Sequence, residues 1–196
     1  MLDFARQWLF PAACVACDAP GPALCERCAP APRDAVAFAV DGIPAFALGA
    51  YDGALRRAVV AMKRGERDPL DVLAGLLAAR APLDGVLVPL STSRGRVVER
   101  GFDQSVELAR RVAVSRSVAC AELLAKRGAA QALHNRRDRL AATGRFRLRR
   151  DAVLPSSVTL LDDVCTTGAT VRDAARVLRA AGVEIRRLVV LARAGT

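Results

Sequence analysis

Aromatic residues are scarce in this chain, at 4% of its 196 residues. A core that cannot lean on Phe, Tyr and Trp must be built from Ala, Leu and Val, and an apolar fraction of 53% supplies them. The single histidine, His134, lies in the polar run HNRRD. It reads as a solvated side chain, which argues against a Ser-His-Asp triad or a histidine metal site. No run of about 18 apolar residues occurs, so no transmembrane helix is expected. There is no internal repeat and no low-complexity tract. The opening MLDFARQWLFPAAC lacks a basic n-region, and Asp3 and Arg6 interrupt its apolar stretch. It does not read as a secretion signal, and the expected compartment is the cytoplasm.

Acids are in deficit too. The chain carries 30 Lys/Arg against 20 Asp/Glu, a net charge of +10. The excess is local. Residues 1–85 hold 9 basic and 10 acidic side chains, residues 86–150 hold 15 and 5, and residues 151–196 hold 6 and 5. A block of this kind attracts phosphate, on a small nucleotide or on nucleic acid, or else forms a solvated arginine-rich surface.

Cysteine is present where it is informative. Cys14, Cys17, Cys25 and Cys28 form C-x2-C-x7-C-x2-C in CVACDAPGPALCERC. Each pair can turn two thiolates toward one ion, and two pairs complete a tetrahedral zinc site. A redox pair or a metal-free remnant is the alternative. With four ligands used, no position stays open for catalysis, so the zinc (Zn2+) is expected to be structural. It would fold a segment, residues 1–34, too small to hold a core of its own. Residues 35–196 form the second unit.

Beyond the linker CAPAPRDA, VAFAVDGIPAFALGAYDG reads as two short strands with turns at Asp41-Gly42 and Asp52-Gly53. ALRRAVVAMKR and DPLDVLAGLLAARA have helical spacing, and DGVLVPLST is a strand ending at Pro89. FDQSVELARRVA is a helix, SVTLLDD a strand, TVRDAARVLRAAG a helix and VEIRRLVVLAR a strand. Residues 117–148 mix helix, loop and basic residues, and their pattern sets no boundaries. Alternating strands and helices predict an α/β fold with a parallel sheet flanked by helices.

The stretch LLDDVCTTGAT follows one such strand and opens a helix. Ligands of open α/β sheets bind at the carboxyl ends of strands. Gly168 lets the backbone approach a phosphate. Amides of the loop and helix N-terminus face that anion, and Thr166, Thr167 and Thr170 add hydroxyls. Asp162 and Asp163 repel phosphate but accept hydrogen bonds from neighbouring sugar hydroxyls. Residues 162–170 (Asp162, Asp163, Val164, Cys165, Thr166, Thr167, Gly168, Ala169, Thr170) thus fit both ends of a ribose 5-phosphate. No lysine follows the glycine, so this is not a Walker loop.

The same stretch resembles the signature by which type I phosphoribosyltransferases bind 5-phosphoribosyl 1-pyrophosphate (PRPP). With YDGALRRAVVAMKRG, VLVPLSTSRGRVVERGFDQSVELAR, AQALHNRRDRL and VVLAR behind a cysteine knuckle, the whole chain resembles the ComF/GntX family. The family usually has Val-Pro-Val-Pro where LVPLS stands and Arg-Gly-Phe-Asn-Gln where RGFDQ stands. The resemblance implies a type I phosphoribosyltransferase domain, PRPP with Mg2+ as ligand, an open acceptor, and an association with DNA uptake. It also implies roles for Lys63 and Arg100 at the pyrophosphate. Ser91, Thr92, Ser93 and Arg94 follow a strand at the proper end to be the pyrophosphate loop. Asp162, Asp163, Arg94, Arg100 and Lys63 are then the candidate catalytic residues. Two other readings stand beside the transferase. One is a non-catalytic protein that binds single-stranded DNA through 86–150, with PRPP or a 5-phosphate as ligand. The other is a module whose knuckle recruits a competence helicase or membrane channel.

Overall fold

The computed structural model describes residues 13–90, 103–126 and 144–195. A five-stranded sheet forms the centre. Strands β1 (Val36–Val40) and β2 (Ile43–Ala50) make an antiparallel hairpin, and β3 is Val86–Pro89, β6 Ser157–Cys165 and β7 Glu184–Arg193. The order is β1-β2-β7-β6-β3, and every pair except β1–β2 is parallel. A two-stranded antiparallel ladder of β4 (Leu124–Lys126) and β5 (Phe146–Leu148) lies apart from it. The helices are α1 (Gly53–Lys63), α2 (Arg67–Arg80), α3 (Gln104–Arg116) and α4 (Ala169–Ala180).

Local chemistry explains the joints. Asp41 and Gly42 both take positive φ, 53° and 75°, the backbone demanded by a two-residue hairpin whose twist matches its strands. The Asp103 carboxylate caps α3, accepting hydrogen bonds from the amides of Ser105 at 3.1 Å and Val106 at 3.4 Å. Buried Thr159 donates its hydroxyl to the Asp84 carbonyl at 2.7 Å and accepts from the Asp84 amide at 2.9 Å, which fixes the turn into β3.

Both faces of the sheet are covered. Leu188 and Val190 of β7 join Val171, Ala174, Ala175 and Leu178 of α4 in one cluster. Val189 and Leu191 join the apolar stripes of α1, α2 and α3 in the other. This period-two division is what a central strand buried on both sides requires. Cys14 and Leu24 are buried in the α1–α3 cluster, so the cysteine segment leans on the core of the sheet. Phe146, fully buried, packs the small ladder into the α4 cluster.

Most expected elements stand where their patterns put them. Strand β6 is longer than SVTLLDD suggests and runs to Cys165. Val164 and Cys165 therefore belong to the strand, and the loop before α4 is only Thr166, Thr167 and Gly168. Among the described residues, no helix is long and apolar enough to cross a membrane.

Candidate functional site

Parallel pairing puts the carboxyl ends of β3, β6 and β7 at one edge of the sheet. Pro89, the last residue of β3, is in register with Leu161, which precedes the two acids. Among the described residues, α3 packs on one face of the sheet and α4, which follows β6, on the other. The carboxyl edge of such a sheet is the usual ligand position. Asp162 and Asp163 lie in the last part of β6 toward that edge.

The two carboxylates are held in different ways. Asp163 Oδ1 accepts the Val164 amide at 2.6 Å. Its Oδ2 pairs with Lys63 Nζ at 2.9 Å, at the carboxyl end of α1. Asp162 Oδ1 accepts the Asp163 amide at 2.9 Å and the Ser105 hydroxyl at 3.4 Å. Burial, and then the adjoining Asp163 charge, push the Asp162 carboxyl from 3.8 up to about 7. The Asp163 amide and the cations Lys126 and Lys63 act in the opposite sense. Asp162 is therefore a proton-exchangeable group near neutrality, and both carboxyl groups can accept hydrogen bonds from neighbouring hydroxyls.

The next turn is shaped for an anion. Gly168 has φ +73°, and a Cβ there would lie 2.6 Å from Val40 Cγ1. A side chain is excluded on both counts, because the loop rests directly on β1. Among the described residues, no acceptor is found for the amides of Thr166 and Thr167. Thr167 Oγ1 accepts the Ala169 amide at 3.4 Å, and α4 begins at Ala169. Free amides followed by a helix N-terminus are a ready anion cradle.

Of the sequence-predicted residues, Asp162, Asp163 and Lys63 are brought together, beside the end of β6 (Val164, Cys165), the turn 166–168 and the start of α4 (Ala169, Thr170). Ser91, Thr92, Ser93, Arg94 and Arg100 lie outside the described residues. Sequence reasoning missed Ser105, Gln104 and Lys126. Gln104 and Ser105 are fully buried, and Gln104 Nε2 donates to the Lys63 carbonyl at 3.4 Å. Lys126 Nζ lies 5.5 Å from the centre of the Phe146 ring. The first two sit in the opening turn of α3, where a polar pair that is buried is the one signal available.

The four cysteines converge as expected. Their sulfur atoms all lie within 4.8 Å of one another, and Cys17 and Cys25 are 3.7 Å apart. A tetrahedron with Zn–S bonds of about 2.3 Å has sulfur edges of roughly 3.8 Å. Each C-x2-C closes as a turn: the Cys17 and Asp18 amides donate to the Cys14 carbonyl, and those of Cys28 and Ala29 to the Cys25 carbonyl. Burial raises the Cys14 thiol, but amide hydrogen bonds from Cys25, Ala16 and Cys17 outweigh it and bring it down to about 6. The cluster can hold a metal ion such as zinc, and all six cysteines are free of disulfides.

No protein-family model matches the chain, and no curated protein matches it. Solved structures do resemble it. Adenine phosphoribosyltransferase from Leishmania donovani is 16% identical, with a TM-score of 0.41 over 67% of this chain and 55% of that one. Glutamine phosphoribosylpyrophosphate amidotransferase from B. subtilis is 20% identical, with a TM-score of 0.46 over 67% of this chain and 30% of that one. Orotate phosphoribosyltransferase from Aeropyrum pernix is 17% identical, with a TM-score of 0.42 over 83% of this chain and 77% of that one. The chain thus spans about half the length of the first and about a third of the second.

Proposed function

We propose that the chain binds PRPP and is a phosphoribosyltransferase of the ComF/GntX kind, acting on an acceptor whose identity stays open. One observation carries the reading. Two adjoining carboxylates at the end of β6 are followed, within one short turn, by two amides with no acceptor among the described residues. That is the donor and acceptor order of a ribose 5-phosphate, with hydroxyls at one end and phosphate at the other.

In this reading Asp162 and Asp163 accept the 2- and 3-hydroxyls. The Thr166 and Thr167 amides, with the threonine hydroxyls, hold the 5-phosphate. Lys63, now paired with Asp163, turns to the pyrophosphate once the hydroxyls occupy that carboxylate. Ser91, Thr92, Ser93, Arg94 and Arg100 complete the pyrophosphate side. The C1–O bond of PRPP breaks, pyrophosphate leaves with its electron pair, the acceptor nitrogen bonds to C1, and the proton that this nitrogen gives up passes to solvent. Mg2+, if bound together with PRPP, would help neutralise the charge of the leaving pyrophosphate. The acids also stabilise positive charge developing on the ribose.

The division into a knuckle at 1–34 and a transferase unit at 35–196 belongs to the same proposal, with Zn2+ on Cys14, Cys17, Cys25 and Cys28 as a structural ion. A reduced four-thiol cluster suits the cytoplasm. A second reading is favoured by the charge of +10 packed into residues 86–150. It keeps PRPP or a 5-phosphate as ligand but has the basic segment hold single-stranded DNA, in natural competence beside a helicase or other DNA-uptake proteins.

Calorimetric titration with PRPP and Mg2+ tests both. The transferase reading expects saturable binding that Asp162→Asn/Asp163→Asn abolishes, then acceptor-dependent pyrophosphate release. Binding of single-stranded DNA that falls steeply with salt, without any PRPP binding, would leave only the second reading's DNA component.

A further inference from the structure

The anion turn is held from behind by a residue outside the motif. Arg193 is the last residue of β7, and its Nη1 donates to the carbonyl of Cys165 at 3.2 Å and to the carbonyl of Thr166. Cys165 Sγ lies 3.9 Å from the same nitrogen. The guanidinium stacks over Phe38 of β1, with Cζ 5.0 Å from the ring centre. Among the described residues no carboxylate pairs with Arg193, so its hydrogen bonds go to the turn. The Cys165 carbonyl also accepts the Ala194 amide at 2.9 Å.

A trans peptide is planar, and its carbonyl and amide point opposite ways. Fixing the Cys165 carbonyl therefore fixes the Thr166 amide, and fixing the Thr166 carbonyl fixes the Thr167 amide. These are the two amides without an acceptor among the described residues. The donors are thus aimed before any ligand arrives, which removes the ordering cost that binding would otherwise carry. One Nη1 amino group serves both carbonyls while the flat guanidinium lies over the Phe38 ring, a stacked arrangement that the compact ammonium of a lysine does not reproduce.

We infer that Arg193 is a positioning residue for the phosphate end of the site: it holds the 165–167 peptides so that two amides face the 5-phosphate, without itself touching the ligand. Phe38 supports it from β1, and Val40 of the same strand supports Gly168. The inference rests on the ribose 5-phosphate reading and adds a residue to it.

The test is an NMR titration of the full chain and of Arg193→Lys and Arg193→Met with ribose 5-phosphate and with ribose. The expected result is a loss of about tenfold or more in ribose 5-phosphate affinity for both variants, with ribose affinity unchanged. Arg193→Lys binding ribose 5-phosphate like the parent would show that charge alone suffices and would overturn the inference. So would equal losses for both ligands, the mark of a general structural defect. If the Arg193 variants do not fold, Phe38→Leu removes only the supporting ring, and it is expected to weaken ribose 5-phosphate selectively. An unchanged Phe38→Leu would then count against the inference. A parent chain that binds no ribose 5-phosphate removes the underlying reading, whereas a binding parent with unaffected variants removes this inference alone.

Discussion

Replacing Asp162 by Asn takes away a half-buried carboxyl that adjoins a second carboxylate, and the account predicts that the fold gains from the loss. The carboxyl sits at about 7 in the folded chain against an ordinary 3.8. Folding therefore takes up a proton between those values, and stability falls as pH rises through that window. Once both states are ionised the penalty is on the order of 4 kcal/mol, and water reaching the group reduces it to roughly 2 kcal/mol. Asn can still accept the Asp163 amide, so the hydrogen bond made at 2.9 Å survives. Urea unfolding of the parent and of Asp162→Asn between about pH 5 and pH 8 reads this directly. The variant should be the more stable at pH 8, by about 2 kcal/mol in unfolding free energy. Its advantage should shrink toward pH 5, because the parent is then protonated. Ribose binding should fall at the same time. An Asp162→Asn variant that is less stable at pH 8, or whose advantage is the same at both pH values, refutes the assignment of a strained acid to this position.

Other expectations follow from the same contacts. Zinc should co-purify with the chain in one equivalent, and Cys14→Ser or a strong chelator should lower Tm markedly, because Cys14 and Leu24 are buried with α1–α3; metal analysis with calorimetry checks this. Gly168→Ala should destabilise the fold by about 1–3 kcal/mol and weaken ribose 5-phosphate at least tenfold, because a Cβ meets Val40 and φ is +73°; urea unfolding and titration measure the two effects. Lys63→Met should weaken PRPP much more than ribose 5-phosphate, since Lys63 is assigned to the pyrophosphate; parallel titrations separate the two ligands.

The sequence was a good guide where local chemistry dictates the outcome. The Asp41-Gly42 turn, the C-x2-C turns and the strand–turn–helix around Gly168 each depend on residues a few positions apart. The same is true of the helical stripes of α1 and α4. What stayed hidden depends on distant pairing. β4 and β5 have three residues each, too few to show a period, and Lys126 reaches the site only because that ladder packs on α4. Ser105 and Gln104 look like ordinary polar helix residues until α3 turns them toward Asp162 and Lys63. Asp103 looks like an acid that could face the ligand, but its carboxylate is engaged as a helix cap. Arg193 sits in VVLAR like any strand-end arginine, and only parallel pairing with β6 brings it behind the 166–168 turn.

In the proposed function, the acids of β6 and the turn that follows them hold the two ends of one ribose 5-phosphate. Calorimetric titration with ribose 5-phosphate beside 2-deoxyribose 5-phosphate tests it most directly, since the two ligands differ only in a hydroxyl assigned to the Asp162–Asp163 pair. Removing the hydroxyl should weaken binding about tenfold or more, and the difference should vanish in Asp162→Asn/Asp163→Asn. Equal affinity of the parent chain for the two ligands would contradict it.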